Sequence, residues 1–228
     1  MGIKDNLEKI KEQIGSNKVK IIAVTKYAAQ QQVFEAYNLG IRDFGESYIQ
    51  DALEKISEEY HNKDLNNPIQ WHLIGRLQKN KVKHVVGRFS LIHSVDSIEL
   101  AELINKIASE REIKQDILLQ VNISGEEQKA GFNKIELKND FEKLFKLTNI
   151  KAKGLMTIAP KTEDKKLIRD CFLELSNLKN ELNLKELSIG MSNDYPIAVE
   201  CGSTMVRIGR ALFGQSKVLE LHKNMEAK

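Results

Sequence analysis

The stretch KELSIGMSNDYPIAVECGSTMVRIGRALFG, residues 185–214, decides the fold. It reads as a strand at 185–190, a short helix in DYPIAVECG, a second strand at 204–209 and the start of another helix. Strands separated by helices imply parallel pairing through helical crossovers. Its two post-strand turns, GMSND (190–194) and RIGRALFG (207–214), combine glycine, a hydroxyl and basic residues, a composition suited to an anion.

Working toward the N-terminus, the same unit recurs. Strand-like runs lie at 19–24 (VKIIAV), 42–45 (RDFG), 69–75 (IQWHLIG), 91–95 (LIHSV), 116–124 (DILLQVNIS) and 150–159 (IKAKGLMTIA). Amphipathic helices follow nearly all of them, the most periodic being SIELAELINKIASE (97–110) and KLIRDCFLELSNLKNEL (166–182). Counting the two in the opening stretch, eight strands with a helix after nearly every one predict an α/β fold, a (β/α)8 TIM barrel. An open doubly wound sheet is the alternative. An extra N-terminal helix, MGIKDNLEKIKEQIG, precedes the first strand. With only three prolines and no Gly/Ser tract, nothing marks a linker, so residues 1–228 are read as one domain.

Composition excludes several classes. Hydrophobic residues make up 41% and charged residues 29%, an ordinary soluble balance. A net charge of +3 gives no argument for nucleic acid or a membrane surface. No apolar run approaches the roughly 20 residues of a spanning helix. The N-terminal stretch lacks the apolar block of a signal peptide. Cys171 and Cys201 make no metal-like spacing and fit a reducing compartment. A cytoplasmic protein is expected.

In a barrel of this kind chemistry collects where the strands end. The residues there include Lys26, Ser47, His72, Gly75, Asn122, Met156, Ser192, Arg207 and Gly209. Ser192 is expected to begin a helix and to offer a hydroxyl to an anion. Gly209 lets a phosphate approach its own amide and that of Arg210. Closure places the first strand beside the eighth, so Lys26 would face that cradle. A primary amine beside a phosphate site describes pyridoxal 5'-phosphate (PLP), whose aldehyde forms a Schiff base with lysine. Each residue has a plainer reading. Lys26 can be solvated, Ser192 can cap a helix and Gly209 can be a turn. Arg207 resists one, because a guanidinium in the buried strand TMVRIG needs a partner, a pyridine nitrogen or a carboxylate.

The five histidines show no paired ligand spacing, so no metal is expected; His72 and His93 read as satisfied core histidines. Lys79, Lys81 and Lys83 read as a solvated helix face, with an anion-docking patch as the alternative. No dinucleotide loop, P-loop or nucleophile elbow is present.

The segments AVTKY, FGESYIQD, WHLIGRLQKNK, HSVDS, QVNISGEEQKAGF, GLMTIAP and LSIGMSNDYPIAVECGSTMVRIGRALFG resemble, in order and over nearly the whole chain, the YggS/PROSC family of pyridoxal phosphate homeostasis proteins. The resemblance implies a barrel like the N-terminal domain of alanine racemase and a Schiff base at Lys26. It implies phosphate contacts from Ser192 and the backbone of Gly209 and Arg210, with Arg207 approaching the pyridine nitrogen. An arginine there stays protonated and gives the ring no proton. The family's usual FGEN is FGES here, so Ser47 stands where relatives place an asparagine near the cofactor.

A carrier that binds PLP reversibly in intracellular PLP homeostasis, serving PLP-requiring apoenzymes, is what the resemblance implies. The alternative is a PLP-dependent amino-acid racemase, which needs a second acid or base opposite the lysine. Relatives of that kind take it from a further domain or a partner chain. The carrier is preferred, as a monomer without robust catalytic turnover. A barrel isomerase for sugar phosphates is a third reading, with Glu46 as its base.

Overall fold

A computed structural model describes residues 2–56, 68–126 and 128–214. Helix α1 (Ile3–Ile14) comes first, followed by β1 (Lys20–Val24), α2 (Gln30–Asn38), β2 (Asp43–Glu46), α3 (Ile49–Ile56) and β3 (Gln70–Leu73). A 3-10 turn (Lys79–Lys81) runs into α4 (Val82–Val85), then β4 (Leu91–Val95), α5 (Ile98–Glu110), β5 (Gln115–Gln120) and α6 (Lys134–Phe145). β6 (Ile150–Met156), α7 (Lys165–Glu181), β7 (Glu186–Met191), α8 (Tyr195–Glu200), β8 (Met205–Ile208) and α9 (Arg210–Phe213) complete the described chain. The segment SYIQDALEKISEEY (47–60), which reads as a helix in sequence, is helical over Ile49–Ile56, and its remainder lies outside the described residues, as do His61 and His222.

Each strand pairs in parallel with its neighbours, and β1 closes on β8, so the sheet is a barrel rather than the open alternative. The seam pairs Ile22 with Arg207 and Ala23 with Ile208. Residues of opposite parity serve two different packings. Phe44, Trp71, Leu73, Ile92, Ile117, Leu119 and Leu187 join the main core between strands and helices. Ile22, Leu91, Leu118, Met156 and Met205 form a smaller separate cluster.

Local chemistry explains the helices. Ser97 accepts from the Leu100 amide, Asn133 from that of Ile135, and Asp164 from those of Lys166 and Leu167, so three helices start on capped donors. In α1, Ile3, Leu7, Ile10 and Ile14 recur at helical spacing and are buried. Each such aliphatic side chain contributes about 1.5–3 kcal/mol when fully buried. That helix lies across the closing seam. The Asn6 side chain donates to Leu212 O at 2.9 Å, and the Tyr195 hydroxyl donates to Gln13. Gly154 is required where β6 and β7 meet, since a Cβ there would lie 1.9 Å from Glu186 O.

Candidate functional site

Lys26 follows β1 by two residues and is half-buried, its Nζ lying 4.9 Å from the centroid of the Tyr27 ring. The turn that carries it is anchored from behind. Thr25 N donates to Gly45 O at 3.0 Å, and the Thr25 hydroxyl donates to Glu46, which is wholly buried. Lys55 of α3 completes this cluster, pairing with Glu46 and donating to Thr25 O at 2.8 Å. Glu46 is therefore held on the helix side of the wall as the counter-ion of Lys55. That overturns its reading as a base poised over a substrate. The sequence signal was a carboxylate at the end of a buried strand, which needs a cation.

The opposite side of the seam supplies polar groups at the same rim. Gly209 packs on Val24, and a Cβ there would meet Val24 Cβ and O at 3.5 Å. Leu212 and Phe213 donate to Gly209 O, so the amides of Gly209 and Arg210 precede the first hydrogen bond of that turn. Ser192 differs from expectation. The helix begins at Tyr195, and Ser192 lies in the preceding turn, where Asp194 N donates to Met191 O and the Asp194 carboxylate accepts from Met191 N. The Ser192 hydroxyl accepts from Ala211 N at 3.2 Å, and Arg210 donates to Asn193 Oδ1 at 3.3 Å. Two polar bonds thus tie the turn after β7 to the turn after β8.

Arg207 is buried, at 5% exposure. Its partners are neither a carboxylate nor a ring nitrogen but oxygens of the barrel wall. Nη1 donates to Ser188 O and Ser188 Oγ, each at 2.7 Å, and Nη2 to Thr157 O at 3.0 Å. Three of five N–H donors are engaged, which leaves two. Burial pushes its pKa down to about 10, against the nearby Asp194 charge, so it remains a cation at neutral pH.

Ser47 stands just beyond β2, half-buried. It lines a cavity of about 560 Å³ with Tyr48, Arg76, Lys81 and His84, a lining that includes neither Lys26 nor Arg207. Gly75 lets the ends of β2 and β3 meet, because a Cβ there would lie 2.0 Å from Ser47 O. Lys79 and Lys83 are exposed, as a solvated face requires, whereas Lys81 is half-buried. Asn122 is occupied with the loop after β5, donating to Glu126 O at 2.8 Å. Met156 lies in the smaller apolar cluster. Among the described residues no His/Cys/Asp/Glu cluster could hold a metal, and no helix is long and apolar enough to cross a membrane.

The donor set suits PLP. It combines a primary amine, a hydroxyl, two amides at a turn that glycine opens, and a guanidinium with two N–H groups to give. The Asp194 carboxylate, beside the Ser192 turn, is already engaged by a backbone amide.

Known proteins resemble this chain over most of its length. A profile of the alanine racemase N-terminal domain matches residues 2–217. A pyridoxal phosphate homeostasis protein of Aquifex aeolicus is 42% identical over 209 residues, covering 89% of this chain and 90% of that one. One from Synechocystis sp. is 44% identical over 205 residues, covering 86% and 91%. PipY of Synechococcus elongatus, solved with PLP bound, superposes with a TM-score of 0.85 at 36% identity, covering 93% of this chain and all of that one. An alanine racemase of Clostridium difficile shares the fold, with a TM-score of 0.75 at 16% identity, covering 95% of this chain and 56% of that one.

Proposed function

Since the chain belongs to the alanine racemase N-terminal domain family, alongside the pyridoxal phosphate homeostasis proteins, we propose that it binds PLP reversibly and serves intracellular PLP homeostasis. The observation that carries this reading is the β1–β8 seam, which brings the amine of Lys26 and the turn at Gly209 to neighbouring strand ends. PLP supplies an aldehyde that condenses reversibly with a primary amine.

Lys26 provides that amine. The hydroxyl of Ser192 and the amides of Gly209 and Arg210 bind the phosphate, with no acid competing for them. Arg207, held by Ser188 and Thr157, would offer its remaining N–H groups to the ring nitrogen. A guanidinium donates a hydrogen bond but keeps its proton, so the ring gains little power to draw electrons from a bound amine. That combination favours holding the cofactor over turning substrates over. Ser47 contributes through a shorter side chain than asparagine, directly or through water.

We assign this role to one domain spanning residues 1–228, acting as a cytoplasmic monomer that passes PLP to PLP-requiring apoenzymes. The test is to add PLP to the full chain, reduce with borohydride and map the adduct by peptide mass spectrometry. The pyridoxyl mass on the Lys26 peptide, with loss of the adduct in Lys26→Ala, is the expected result. An adduct elsewhere, or none, overturns the site assignment. Steady racemisation of alanine or another amino acid overturns the carrier reading in favour of the racemase.

A further inference from the structure

The interior of a (β/α)8 barrel is usually filled by layers of branched apolar side chains. Here a row of polar side chains crosses it beside the small cluster of Ile22, Leu91, Leu118, Met156 and Met205. Asp43 Oδ1 lies 2.9 Å from His72 Nε2, and His72 Nδ1 lies 2.9 Å from His93 Nε2. His93 Nδ1 lies 3.0 Å from Ser188 Oγ, which accepts from Arg207 Nη1 at 2.7 Å. These five residues stand on β2, β3, β4, β7 and β8. His72, His93, Ser188 and Arg207 are all at most 5% exposed. The row ends at the start of β2, where Lys20 Nζ lies 3.2 Å from Asp43 Oδ1 with about half of its side chain exposed.

The two ends of this row fix its direction. Arg207 can only donate, and the Asp43 carboxylate can only accept. With both imidazoles neutral, a single arrangement satisfies every atom. Arg207 donates to Ser188, Ser188 to His93 Nδ1, His93 Nε2–H to His72 Nδ1, and His72 Nε2–H to Asp43. Burial favours neutral imidazoles: it is the largest influence on both and holds both below their ordinary value of 6.5, His93 well below. Each bond in such a chain polarises the next.

We propose that Asp43, His72, His93 and Ser188 act as a one-way hydrogen-bond relay that positions Arg207 at the floor of the cofactor site and couples it to the opposite rim of the barrel. The four are positioning residues and touch no cofactor. Their bearing on PLP rests on the function proposed above, whereas the relay itself does not. Two features give it content. The guanidinium has no carboxylate among its hydrogen-bond partners, so the first balancing charge along a bonded path is Asp43, four hydrogen bonds away. And because Ser188 O and Thr157 O hold Arg207 independently of Ser188 Oγ, the relay can be cut without removing the arginine's other supports.

The experiment has two arms on the full chain. Without cofactor, long-range proton–nitrogen NMR of histidine-labelled protein at neutral pH reads both tautomers. The expected result is Nε2–H with bare Nδ1 at both His72 and His93, with Ser188→Ala moving the resonances of His72 as well as of His93. An Nδ1–H tautomer, a protonated ring, or a change confined to His93 overturns the relay. With PLP added, Ser188→Ala should shift the visible absorption band of the bound cofactor and weaken its binding about tenfold, equal to about 1.4 kcal/mol. Asp43→Asn, at the far rim, should shift the band in the same direction by less. Unaltered spectra and affinities in both variants overturn the coupling. A wild-type chain that fails to bind PLP removes the proposed function, while the NMR arm still decides the relay. Should Ser188→Ala not fold, Asp43→Asn and the wild-type tautomers carry the test.

Discussion

Acidification from pH 7 should weaken this fold well before its carboxylates titrate. Unfolded, His72 and His93 take up protons near their ordinary value of 6.5. Folded, both are held lower. For His72 burial comes first, and the Asp43 carboxylate only partly offsets it against Lys20. For His93 burial comes first, joined by His72, Arg207 and Lys20, with no acid opposing. Above 6.5 neither state binds these protons and stability is flat. Below it the unfolded chain binds more, so stability falls as pH falls, until the folded rings protonate in turn. Each ring contributes a slope of at most about 1.4 kcal/mol per pH unit, so the pair approaches about 2.7 kcal/mol per unit. One pH unit thus removes a sizeable share of a typical stability of roughly 5–15 kcal/mol. The assay is urea unfolding of the cofactor-free chain at closely spaced pH values from 8 to 5.5. His93→Gln, whose amide can still accept from Ser188 and donate to His72, should lower the slope, leaving at most about 1.4 kcal/mol per unit from His72. A flat profile across this range, or an undiminished slope in His93→Gln, would refute the reasoning.

Two further outcomes follow from the rim. Gly75→Ala brings a methyl to within 2.0 Å of Ser47 O, so the ends of β2 and β3 must separate; thermal unfolding should show a loss of about 3 kcal/mol or more. Ser192→Ala removes the acceptor of Ala211 N together with the phosphate contact proposed for it, and titration should show PLP binding weakened by about tenfold with the fold retained.

The order of strands and helices was legible because apolar runs and helical periodicity are local properties, and each unit repeats them. Arg207 was legible as an oddity, since a charge inside an apolar strand announces a buried demand. What answers that demand was not, because backbone carbonyls such as Thr157 O carry no mark in a sequence. Ser192 was placed at a helix start by the Ser-Asn-Asp run. The turn ran two residues further because Asp194 folds back onto the Met191 amide, which frees the Ser192 hydroxyl to meet Ala211. Strand parity marks Asp43, His72, His93 and Ser188 as facing one way, but which of them touch depends on the stagger of strands around the closed sheet. His72 and His93 are satisfied core histidines, as expected; they bond each other and Asp43 across neighbouring strands, and Ser188 across the barrel from β7.

The helix ahead of the first strand has a bearing on release. Through Asn6 it grips the carbonyl of Leu212, one turn beyond Gly209, and through Gln13 it grips Tyr195, the first residue after the Ser192 turn. Both turns proposed to hold the phosphate are therefore braced from outside by a single element. On the function proposed above, prising that brace away would slacken both turns together and favour release of the phosphate.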